Sequence, residues 1–64
     1  MDRHEWKSFF SWLDTASVTE LRARHTKLVA LLDILRNPDV RADARRMQRL
    51  IEQRLVELLN DPQT

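Results

Sequence analysis

Residues 17–38 read SVTELRARHTKLVALLDILRNP, and the stretch is punctuated at both ends. Ser17 and Glu20 stand at the spacing of a capping box, in which the serine side chain accepts from the glutamate amide and the glutamate side chain returns to the serine amide. At the far end Asn37 precedes Pro38, and the proline ring pushes the residue before it out of the helical region. Between these signals Val18, Leu21, His25, Leu28, Leu32 and Leu35 recur in alternating steps of three and four, the rhythm of a helix seam packed on one partner. The spacing predicts a helix over 18–36.

Val29, Leu31 and Ile34 fall outside the seam. The C-terminal half of this helix is therefore apolar nearly all round, interrupted by Lys27, Asp33 and Arg36. A helix apolar on several sides must be covered on several sides.

Outward toward the C-terminus, a second long helix is expected over 39–59, capped by Asn37 with Pro38 at its first position, or by Asp39. Its apolar stripe is Val40, Ala44, Met47, Ile51, Leu55 and Leu58, flanked by Leu50, Leu59 and the stem of Arg54. One stripe covers one seam, and a short link makes the two helices an antiparallel hairpin. Residues 61–64 follow as a frayed tail.

Outward toward the N-terminus, residues 4–14, HEWKSFFSWLD, hold all four rings of the chain. Trp6, Phe9, Phe10 and Leu13 share a helical face over about 3–13, with Trp12 off that stripe. These rings are the expected lid on the surplus apolar surface of the middle helix, since each buries about 150–250 Å².

The fold class expected is all-α: a short aromatic helix followed by a helical hairpin in one 64-residue domain. Glycine is absent, which removes the residue that β-hairpin turns favour. A chain this short buries only about 60% of the surface its unfolded form exposes. Without cysteine, neither disulfides nor thiolate metal sites can supply the shortfall. Pairing of two hairpins into a four-helix-type dimer would do so. The faces assigned to a dimer or protein partner are Trp12, Val29, Leu31 and Ile34, and a homodimer is the expected assembly. A folded monomer with the first helix laid across the hairpin is the alternative.

The chemistry is sparse. His4 and His25 have no second ligand at a metal-binding spacing, and His4 with Ser8 lacks a third group to orient the pair. No phosphate loop can be built without glycine. No cofactor, metal or catalytic residue is expected. The longest unbroken apolar run, Leu28–Leu32, is too short for a bilayer, so no membrane association is expected and the cytoplasm is the expected location.

The densest charge is RADARRMQR, residues 41–49, which places Arg41, Arg45, Arg46 and Arg49 within two and a half turns. Arg41, Arg45 and Arg49 form one ridge that could contact phosphates. A net charge of +1 favours the ordinary reading, a solvated face, because nucleic-acid modules of this size are more basic. The function expected is a non-enzymatic module that binds another protein. A nucleic-acid-binding regulator using the arginines is the alternative. In size and hairpin architecture the chain resembles small bacterial plasmid regulators of the Rop type, in which two hairpins form an RNA-binding bundle. That likeness carries over no residue.

Overall fold

The computed structural model describes residues 1–60, so the expected tail at 61–64 lies outside the described residues. The chain is all-α. Three helices follow in order: α1 (Arg3–Thr15), α2 (Val18–Ile34) and α3 (Pro38–Leu59), with no strand among the described residues.

Each helix starts on a side-chain cap. Ser17 and Glu20 form the expected box, with the Glu20 amide donating to Ser17 Oγ at 3.1 Å and the Ser17 amide to Glu20 Oε1 at 2.9 Å. Two backbone donors that a helix start would leave orphaned are thereby satisfied. α1 has a second box: Asp2 Oδ1 accepts from the Glu5 amide at 2.8 Å, and Glu5 Oε2 accepts from the Asp2 amide at 3.1 Å. At α3 the cap is Asn37, whose Oδ1 accepts from the amides of Asp39 and Val40 at 2.8 and 3.2 Å, with Pro38 as the first helical residue.

α2 ends two residues before the expected Arg36. Leu35 is already extended, at φ −71° and ψ 132°. The restriction before Pro38 acts on Asn37, and the link that carries the chain across to α3 takes Leu35 and Arg36 as well. α1 runs two residues past the expected Leu13, to Thr15, whose hydroxyl bonds back to the Ser11 and Trp12 carbonyls.

The core is narrow. Phe9 and Leu13 of α1, Ala16 of the first link, Leu21 and Leu28 of α2, and Ala44 and Ile51 of α3 are buried, with Leu21 and Ile51 fully enclosed. Around them pack Trp6, Trp12, Leu32, Leu35, Met47, Leu50, Leu55 and Leu58. The α2 seam and the α3 stripe thus face each other as their spacing implies.

The inward arc of α1 differs from the expected one. Trp6, Phe9 and Leu13 face the core as their spacing implies, Trp12 joins them, and Phe10 stands 38% exposed. The reason lies in the link. Ala16 is buried and only Ser17 separates it from α2, so the closeness of the two helices at this corner sets how α1 is turned.

Helix lengths determine what the lid reaches. At 1.5 Å per residue α1 is about 20 Å long and α3 about 33 Å. The amine of Met1 meets Asp43 early in α3, and Arg54 late in α3 meets the Asp14 carbonyl, so α1 runs alongside α3 in the same direction. Its span ends short of the α2–α3 turn. Val40, on the inward stripe of α3 but beyond that span, is 45% exposed.

Candidate functional site

The uncovered end of the hairpin is an open apolar groove of about 550 Å³. Leu28, Leu31 and Leu35 of α2 form one wall, Val40, Ala44 and Met47 of α3 the other. Met1 and Glu5 close the end where α1 begins, and Arg24, Lys27 and Asp43 sit on the rim. Outside the groove Ile34 is 71% exposed, the barest large apolar side chain of α2. Lys27, Leu31 and Ile34 are spaced by four and three, so they form one continuous ridge along this side of α2.

Val29 stands elsewhere. It is two positions from Leu31, about 200° around the helix axis. It lies one turn beyond His25, on the side where His25 meets α3. The three apolar residues expected to form one face are therefore divided: Leu31 and Ile34 border the groove, and Val29 is exposed on the opposite side of the hairpin. Residues two apart on a helix do not share a face.

Trp12 belongs to the lid. Its ring packs beside Phe9 with centroids 5.8 Å apart, and the Arg24 guanidinium lies 4.7 Å from its centroid. A smaller hollow of about 340 Å³ borders it, between His4 and Ser8 of α1 and Met47 of α3. His4 and Ser8 are both exposed. Trp6 is stacked in the same way, with the Arg46 guanidinium 4.7 Å from its centroid. A cation over an indole face is held by the ring quadrupole, so Arg24 and Arg46 hold the outer sides of the two tryptophans.

The arginines of α3 have separate tasks. Arg41 is half-buried, and its Nη1 donates to the carbonyls of Leu32 and, at 2.9 Å, Leu35. It closes the C-terminal end of α2, where carbonyls lack helical partners and the helix dipole is negative. Arg54 does the same for α1 through Nη2 to the Asp14 carbonyl at 3.2 Å, and its Nη1 meets Glu57 at 3.4 Å. Of the four arginines in the candidate ridge, Arg41 caps a helix and Arg46 covers a ring. Arg45 and Arg49 remain exposed, one turn apart, with no ion-pair partner among the described residues.

His25 occupies its seam position half-buried, with Nε2 2.7 Å from Glu52 Oε2. This bond holds the Glu52 carboxyl below its ordinary value against the opposing effect of burial, with lesser help from Gln48 and Arg49. Glu20 is also lowered, by its hydrogen bonds from the Ser17 backbone and side chain. Glu52 is therefore engaged by His25 rather than by Arg49, the partner its spacing suggests.

Among the described residues no group of three or more His, Cys, Asp or Glu side chains converges as a metal site. No helix of the described residues is long and apolar enough to cross a membrane. Compared with known proteins, the chain matches no family model, no curated protein and no solved structure.

Proposed function

We propose that the chain is a small non-enzymatic helical interaction module, an adaptor or regulator acting in the cytoplasm by binding protein, a second copy of itself included. The observation that carries this reading is the groove at the turn end of the hairpin. Its walls are apolar and continuous with the core, it is open because α1 stops short of it, and Leu31 and Ile34 stand exposed beside it. Contiguous apolar surface rimmed by charge is what helical partners dock upon.

Paired baits test it. The wild-type chain and a Leu31→Glu, Val40→Glu chain are immobilised and exposed to lysate of the native host. Both substitutions sit on partly exposed groove walls, so the fold is expected to be retained, which circular dichroism checks. The expected outcome is one or more proteins held by the wild type and lost by the variant. Identical retained sets would remove the groove as a binding surface.

A second reading rests on Arg45 and Arg49, the exposed pair of α3 with no ion-pair partner among the described residues. Two such cations on a rigid helix can contact phosphates, with affinity that falls as salt rises. An Arg45→Glu, Arg49→Glu chain that binds RNA or DNA as well as the parent would end that reading.

A further inference from the structure

The interaction-module reading leaves open what occupies the groove, and the inference drawn here rests on that reading. We propose that the groove is filled by a second copy of the chain, related by a two-fold axis near Leu31. Ile34 of each chain sits in the other's groove, and Lys27 of each faces the partner's Asp39.

Three observations converge on this occupant. The first is that knob and hole lie on one patch. A two-fold interface requires a surface complementary to itself. Here the most exposed large apolar side chain of α2, Ile34, stands immediately beside a groove that can accept a side chain of its kind. Two α2 helices packed antiparallel, with Ile34 of one falling between Leu28 and Leu31 of the other, place the axis close to Leu31 and satisfy both grooves at once.

The second observation is charge. Lys27 lies at one end of the patch, on the groove rim. Asp39 lies at the other end, one helical turn before Asp43 and on the same side of α3. Neither Lys27 nor Asp39 has an ion-pair partner among the described residues. A two-fold reverses the patch on itself, so its positive end meets the partner's negative end twice. Opposite charges at the two ends also fix the register of the pairing.

The third is shape. The Cα trace is only 14 Å thick in its smallest dimension against 42 Å in its longest. A slab this thin has too little interior to enclose its apolar residues, and a second slab on the open face supplies the missing side.

The size of the patch sets the strength. About a dozen residues form it, roughly half of the 20–30 per side in a standard interface of about 800 Å² per partner. The pairing is accordingly reversible, with dissociation in the range of roughly 1–100 µM expected for a small interface.

Complementary charge variants test this arrangement by sedimentation equilibrium from about 1 to 500 µM, a range chosen to bracket the expected dissociation constant. The wild type is expected to pass from 7.7 kDa to twice that mass. Ile34→Asp is expected to remain at the monomer mass. Lys27→Glu alone and Asp39→Lys alone each weaken association at least several-fold, because each homodimer has two like-charge pairs. Mixed in equal amounts, they regain it, since the heterodimer restores opposite charges at both contacts. Wild type that stays at 7.7 kDa throughout overturns the proposal. So does a dimer indifferent to Ile34→Asp, or a mixture that fails to recover. A monomeric wild type that still loses a lysate partner on Leu31→Glu, Val40→Glu keeps the interaction-module reading and removes the second copy alone.

Discussion

The guanidinium of Arg41 reaches back across the α2–α3 turn and donates to two carbonyls of the helix it did not come from. Neither α1 nor α2 has a basic residue in its last turn, and both end on an extended residue, Ala16 and Leu35, rather than in a left-handed cap. α3 supplies what both lack, Arg41 for α2 and Arg54 for α1. Charged hydrogen bonds of this kind are worth about 1.5–3 kcal/mol, of which partial exposure keeps roughly 1–2 kcal/mol here. Arg41→Met, which preserves the stem, is expected to lower stability by that amount in urea denaturation. Arg41→Lys recovers only part, because a single ammonium lacks the planar fork. Equal midpoints for Arg41→Met and wild type would show that the cap contributes nothing.

Glu52 contributes to the acid dependence at the same scale. Its folded-state value is lowered, chiefly by His25, so its contribution is present above the ordinary value of 4.5 and lost as pH falls from there through the lowered value. Glu20, lowered by Ser17, acts in the same direction. Stability is expected to fall below about pH 4.5, the region where unperturbed carboxylates titrate. The fall between pH 5 and 3, read from urea midpoints, is expected to be shallower in Glu52→Gln. An unchanged pH slope in that variant would mean that the His25–Glu52 bond does not form in solution.

Helix by helix, legibility in the sequence follows how local the deciding interaction is. The Ser17–Glu20 box, the Asn37–Pro38 start and the α2–α3 seam all rest on contacts within a few residues or on a repeated spacing, and the spacing alone places them. The Asp2–Glu5 box was equally local: the D-x-x-E pattern was the signal that would have fixed the start of α1. The turn of α1 about its axis was not legible, because it depends on how Ala16 and the short link set α1 against α2. That choice has a measurable consequence. Phe9 is buried and Phe10 is 38% exposed, although both lie on the expected stripe. Phe9→Ala is expected to cost about 3–5 kcal/mol, the usual loss for an enclosed ring. A domain of this length holds only roughly 3–10 kcal/mol in all, so that loss removes about a third of it or more. Phe10→Ala is expected to cost less than about 1 kcal/mol, as for exposed positions. Circular dichroism melts separate the two, and equal losses would mean that α1 is turned as its aromatic spacing first suggested.

Across the whole molecule, the excess of apolar surface on α2 was readable from composition and spacing, while its location was not. The surplus is divided by α2 itself: Val29 goes to the side of His25 and Glu52, and Leu31 and Ile34 to the side that α1 only partly covers. Which residues stay bare depends on the difference in length between α1 and α3, a relation no local pattern encodes. If a second copy covers that remainder, stability must depend on protein concentration, because whatever binds the folded state and not the unfolded one stabilises it by mass action. At a concentration ten times the dissociation constant the gain is ~1.4 kcal/mol. For a domain of this size a gain of 1 kcal/mol raises the melting temperature by about 4–8 °C, so the shift expected is roughly 6–11 °C. Melts followed by circular dichroism at a few micromolar and at several hundred micromolar should differ by that amount for the wild type. Ile34→Asp should melt at one temperature throughout, near that of dilute wild type, since its site lies outside the core of the single chain. A wild-type melting temperature that does not move over this range would mean that the narrow core of one chain, with its three capped helices and two arginine-stacked tryptophans, is sufficient by itself to hold the fold.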